Sequence, residues 1–204
     1  GIFYDRYIKG LRVNAEGGCY PSFEPKNIID NIPLNPLFVE IGADIGGTGS
    51  ATAFSATLFF RNEKGTLSMC LIDEVYDKEN RDVESILDNL ELFTKKMRSK
   101  YNCADVNIDS AEQLIIRSFK RRGVCNVNNS LKPPIIDRIR FLEMMFATDR
   151  AFILKSCTNT INALQSAVWK SGSIKEERLD NGTSNQDSID SFEYSWTRRI
   201  RDFI

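Results

Sequence analysis

Between residues 37 and 76 the apolar positions fall into three dense runs: 37–44 (LFVEIGAD), 51–60 (ATAFSATLFF) and 66–76 (TLSMCLIDEVY). Runs of this length, joined by a glycine-bearing stretch and by the turn RNEKG, predict three strands in an antiparallel meander. The first run is apolar on nearly every position, which predicts a central strand. Beyond residue 80 the period changes. Val83, Ile86, Leu87, Leu90 and Met97 recur at helical spacing, so a helix is expected over 81–100 with Asn80 as its N-cap. ADVNID (104–109) predicts a short strand ending in Asp109, and SAEQLIIRSFKRRG a helix closed by Gly123. VCNV (124–127) reads as a strand, Pro133-Pro134 opens a helix over 134–147, and AFILK (151–155) is a strand followed by a helix to about Lys170. Residues 171–185 are polar, with Gly172 and Gly182, and fit a hairpin or a mobile loop. A last helix is expected over 186–204, with Ile189, Phe192, Trp196, Ile200 and Phe203 on one face. The order predicts an α/β fold over 37–204, one mixed sheet flanked by helices on both faces. Residues 1–36, rich in turn-forming residues, are expected to be a connector packed on that domain, and the opening FYDRYIKGLRV reads like the middle of a longer chain.

Composition narrows the chemistry more than the fold. The chain of 204 residues carries a net charge of −1, so any nucleic-acid contact must come from a local basic patch. Its five cysteines form no CxxC pair, which argues against a disulfide frame or a zinc site. No apolar run is long enough for a membrane span, because Glu40, Asp44 and glycines interrupt the longest one. There is no histidine. That removes Ser-His-Asp and Cys-His catalysis, histidine zinc sites and histidine bases, and leaves carboxylates, lysines and a hard metal held by oxygen.

Three segments offer acids where such chemistry would need them, the last of them both Asp187 and Asp190. Asp44 ends an apolar strand, Asp109 ends another, and Asp190 lies one turn after Asp187 at the start of the last helix. Ligands of open α/β sheets gather at strand C-termini. Carboxylates converging there would repel strongly unless cations sat between them, and two Mg²⁺ or Mn²⁺ ions about 4 Å apart would support in-line displacement at a phosphodiester. Asp73, Glu74 and Glu112 are weaker candidates, at a strand or helix end where acids are common. The motif DIGGT (44–48) admits a competing reading, a phosphate loop of the actin and hexokinase class of sugar kinases. No second phosphate loop, adenosine-binding glycine motif or GxxxxGK[ST] accompanies it. A non-catalytic docking domain, in which the acids are only structural, is a third reading.

GADIGGTGSATAFSAT, NIDSAEQ and DNGTSNQDSIDSFEYS, preceded by NAEGGCYPSF, together resemble the C-terminal nuclease domain of a tailed-bacteriophage terminase large subunit. The resemblance rests on the order and spacing of the segments and covers nearly the whole chain. It implies a ribonuclease H-like fold, catalytic acids at Asp44, Asp109 and Asp190, two divalent metal ions, and cleavage of double-stranded DNA during genome packaging in the host cytoplasm. It also implies partners: an N-terminal ATPase domain, the portal protein and the small terminase subunit. Related proteins often place a histidine where this chain has Asp187, which makes Asp187 a candidate further metal ligand. Candidate DNA contacts are Lys175 and Arg178 beside the last acidic segment, then Lys120 and Arg121 at a helix end. The glycines after Asp44 are expected to turn the chain tightly and to let a phosphate approach the backbone.

Overall fold

The computed structural model describes residues 17–47, 50–79, 81–170, 178–179 and 185–204. Among the described residues seven strands form one sheet, in the order β1-β7-β4-β3-β2-β5-β6. They are β1 (Ile28–Ile29), β2 (Pro36–Asp44), β3 (Thr52–Arg61), β4 (Leu67–Asp77), β5 (Cys103–Ile108), β6 (Asn126–Asn129) and β7 (Ala151–Leu154). The expected meander is present: β2 pairs antiparallel with β3, and β3 with β4. The other pairings, β2–β5, β5–β6, β4–β7 and β7–β1, are parallel, which makes the sheet mixed and ribonuclease H-like. The helices are α1 (Val83–Arg98), α2 (Gln113–Arg122), α3 (Ile135–Ala147), α4 (Thr158–Ser166) and α5 (Gln186–Trp196), with a 3₁₀ continuation at Thr197–Phe203.

Strand alternation sorts the helices onto the two faces. Phe54 of β3 meets Phe93 of α1, and Arg122 at the end of α2 binds Glu84, Asp88 and Glu91 of α1, so α1 and α2 share one face. Ser55 and Thr57, pointing the other way, hydrogen-bond Ser191 and Ser195 of α5 at 2.8 and 2.6 Å. Phe141 of α3 packs on Trp196 at 5.0 Å between ring centroids, which puts α3 beside α5. Glu74, opposite Ser55 in the ladder, accepts four hydrogen bonds from Asn159 and Thr160 and so caps α4 on that same face. Its neighbour Asp73 turns to the first face and pairs with Lys96 of α1. Both acids are thus spent on helices rather than on the strand end that carries Asp44.

Several sequence expectations shift. Asn80 lies outside the described residues, and α1 is capped instead by Asp82, whose carboxylate accepts from Ser85 N–H at 2.8 Å. Strand β6 lies two residues later than VCNV suggests, since it is Asn126–Asn129 that pair with Asp105–Ile108 of β5. Helix α4 stops at Ser166 rather than Lys170, since Ala167 turns extended and Val168 bridges to Gly18. Within the expected connector, Cys19, Tyr20 and Phe23 enter the core and Ile28–Ile29 form the edge strand β1, so this stretch packs closely on the sheet. Most of the polar stretch 171–185, expected as a hairpin or mobile loop, falls outside the described residues. Trp169 and Arg178 meet in a short antiparallel bridge at its border.

Candidate metal centre

Strands β2 and β5 run parallel as neighbours, with Ala43 opposite Ile108, so both chains leave the sheet at the same edge. The backbone N–H of Asp109 donates to Ala43 O at 3.0 Å, which sets Asp109 directly beside Asp44. Helix α5 crosses above them. It can sit this low because residue 42 is glycine: a Cβ there would lie 1.9 Å from Ser191 O and 2.5 Å from Ser195 N. This close approach carries Asp187, Asp190 and Tyr194 over the strand ends. Three elements distant in sequence therefore deliver carboxylates to one crevice.

The electrostatics of the crevice follow from that crowding. The carboxyl of Asp44 is pushed well above the usual range, first by burial, then by the charges of Asp190, Asp109 and Asp187. Among the described residues no hydrogen-bond donor reaches it. The phenol of Tyr194 is raised as well, by burial and by Asp44, Asp190 and Asp109, and its hydroxyl donates to Asp109 Oδ2 at 3.4 Å. A half-buried carboxylate that no donor among the described residues reaches, facing three more, calls for a cation.

Each of the other acids is held by a different group. Asp109 Oδ2 takes a 2.7 Å ion pair from Lys132, whose ammonium also lies 5.1 Å from the centre of the Tyr194 ring. Asp190 Oδ1 is bound by Arg178 at 2.6 Å and by Arg138 at 3.4 Å. Asp187 accepts from Ser50 Oγ at 2.9 Å and from Ala51 N–H at 3.1 Å, so both its oxygens fasten the turn that follows β2. Drawn apart in this way, no three acids among the described residues form a ready-made metal cage. The donor set itself, oxygen only and strongly anionic, suits a hard divalent ion.

The remaining expectations divide. Gly46 packs against the backbone of its own turn, where a Cβ would meet Ser50 O at 2.4 Å, as a tight turn requires. Gly47 faces open space. Lys175 lies outside the described residues. Arg178 is corrected: its side chain is 3% exposed and ion-paired to Glu193 and Asp190, so no surface guanidinium is left to meet a DNA phosphate. Lys120 and Arg121 are exposed, but in the last turn of α2, about 15 Å of helix away from the end that follows Asp109. Glu112 immediately precedes α2 and caps it through its backbone without a side-chain hydrogen bond. Sequence reasoning missed Lys132, Tyr194, Arg138 and Glu193. Glu193 could have been found, since it lies three residues after Asp190 and hence on the same face of a helix expected there. Lys132 could not, because it stands in a loop whose position depends on β6 and α3.

No protein-family model matches the chain, and no curated protein sequence matches it. Solved structures do. The large terminase from a thermophilic bacteriophage superposes with a TM-score of 0.73 at 19% identity, covering 97% of this chain and 49% of that one. The P22 large terminase nuclease domain gives 0.65 at 14% identity, covering 93% and 98%. The large terminase nuclease domain of bacteriophage SPP1, solved with bound Mn, gives 0.58 at 17% identity, covering 84% and 96%. The chain spans about half the length of the thermophilic phage's large terminase and nearly the whole of the isolated nuclease domains. The likeness is one of fold.

Proposed function

We propose that this chain is the nuclease domain of a phage terminase large subunit, a metal-dependent endonuclease that cuts double-stranded DNA during genome packaging. The observation that carries the proposal is the convergence of Asp44, Asp109 and Asp190 at one edge of a sheet whose fold is that of terminase nuclease domains. The bound Mn of the SPP1 domain supports the use of a divalent ion here.

Asp44, Asp109 and Asp190 are the residues that would hold two divalent ions, with Asp44 at the centre because, among the described residues, no protein donor occupies it. Such ions, when bound, supply a Lewis acid for the phosphodiester and lower the pKa of bound water. The protein does the rest. The close seat of α5 on Gly42 covers one side of the crevice beside the half-buried Asp44. Tyr194 and Lys132 hold Asp109 through Oδ2. Asp187 keeps the turn after β2 in place rather than serving as a principal ligand. Lys132, whose charge also acts on Asp44, offers a positive charge for a DNA phosphate. The sugar-kinase reading is disfavoured, since the solved structures that share this fold over most of the chain are terminase nuclease domains.

The function is tested with supercoiled plasmid and purified protein. Cleavage is expected in Mn²⁺, none in EDTA, and none with Asp44→Asn. A thermal shift with Mn²⁺ but not with ATP is expected alongside. Stabilisation by ATP without cleavage would overturn the proposal in favour of a phosphotransferase. The ATPase domain, portal protein and small subunit are the partners this function would require.

A further inference from the structure

A buried ion network lies behind Asp190, and the reaction proposed above does not use it directly. Glu193, fully buried, receives Arg178 at 2.7 and 3.2 Å, Arg138 through a short ion pair, and the hydroxyl of Tyr20 at 3.3 Å. Arg178 also donates to Tyr20 at 2.8 Å and to Asp190 Oδ1 at 2.6 Å. With the Gln186 amide turned so that its oxygen faces the guanidinium, that oxygen accepts from Arg178 at 2.8 and 3.0 Å. Arg178 is thereby held on every side, and the side chain of Arg138 is only 7% exposed.

The network contains two arginines and two carboxylates, so its formal charge is zero. Its members do not share that charge equally. Glu193 sits between the arginines with both oxygens occupied. Asp190 meets them with Oδ1 alone, and none of these contacts reaches Oδ2. We infer that Arg178 and Arg138 are positioning residues: held by Glu193, they fix Asp190 through one oxygen and leave the other to face the crevice. This rests on the nuclease reading given above. It assigns Glu193 an indirect effect on the metal, set by how much of the arginines' charge it absorbs.

That assignment fixes opposite signs for two variants. Arg178→Met removes a positive charge from Asp190, so Mn²⁺ should bind more tightly, by about tenfold at interior dielectric, while the rate of cleavage falls because Asp190 is no longer oriented. Glu193→Gln keeps the shape but turns both arginines onto Asp190, so Mn²⁺ should bind about tenfold more weakly. Arg178→Lys retains the charge and loses the fork, so Mn²⁺ affinity should stay near that of the wild type while the rate still falls.

Mn²⁺ affinity is read by electron paramagnetic resonance on protein without DNA, fold by circular dichroism, and rate by plasmid cleavage. If the wild type neither binds Mn²⁺ nor cuts, the nuclease reading itself fails. If the wild type does both, and Arg178→Met and Glu193→Gln weaken Mn²⁺ alike, in step with lost thermal stability, the network is only structural and the inference falls. Should Arg178→Met not fold, Glu193→Gln decides alone: unchanged or tighter binding overturns it.

Discussion

Asp44 is an ionisable group placed where ionisation is unfavourable. Its pKa in the folded chain lies above its unfolded value, because burial and three acidic neighbours penalise the charged form. The sign follows from linkage. The native state holds the proton more tightly than the unfolded one, so the protein without metal is at its best below the unfolded pKa and loses stability as pH rises through the folded one. In EDTA at pH 7, Asp44→Asn should therefore be more stable than the wild type in urea unfolding, and the gap should close as the pH is brought down to about 4. A variant less stable at pH 7 would show that Asp44 has protein donors in solution. The thiols behave as the mirror of this in reactivity. Cys19 and Cys125 are pushed up to about 11, chiefly by burial. At pH 8 their thiolate fraction falls roughly a hundredfold below that of a free cysteine, and labelling by a disulfide reagent should slow accordingly, site by site in a mass spectrum.

At the scale of the element, α5 decides whether a centre exists. It rests on Gly42 by backbone contact and on Ser55 and Thr57 through serine hydroxyls, an interface with almost no side-chain depth. Gly42→Ala would drive a methyl group into Ser191 O, and α5 must lift. The expected cost is about 3 kcal/mol or more in urea unfolding, with cleavage lost even in whatever fraction folds. By contrast Asp82→Ala, which removes the cap of α1, should cost about 1 kcal/mol and leave cleavage unchanged. The same contrast explains what could be read in advance. The meander, α1 and α2 follow from local periodicity, and Asp44 and Asp109 from strand ends. The seat of α5 on Gly42 could not be read, because no pattern within residues 37–44 says which helix, some 150 residues later, will press against that glycine. The burial of Arg178 was hidden for the same reason. A basic residue in a polar stretch looks solvated until the acids beneath it, Asp190 and Glu193, are seen to come from another element.

On the scale of the whole molecule, metal and fold are expected to be coupled. The ions would bind the native crevice and not the unfolded chain, so Mn²⁺ at about a hundred times its dissociation constant should add about 2.7 kcal/mol, and Asp190→Asn should remove most of that gain. Asp187→Asn should keep more of it, since that carboxylate is spent on Ser50 and Ala51. Calorimetric scans with and without Mn²⁺ check both, and equal loss in the two variants would return Asp187 to the ligand set. The close seat of α5 has one more consequence, in time rather than space. Residues 42 and 191 must touch before Asp44 and Asp190 can share an ion, and Asp190 is made long after Asp44 and Asp109. A chain growing on the ribosome can lay down the meander early, but from residue 109 to residue 190 it carries two of the three candidate acids apart from the third. On the proposed reading the centre is completed only once α5 has emerged and docked, so a nascent chain is expected to cleave DNA only after that helix is free.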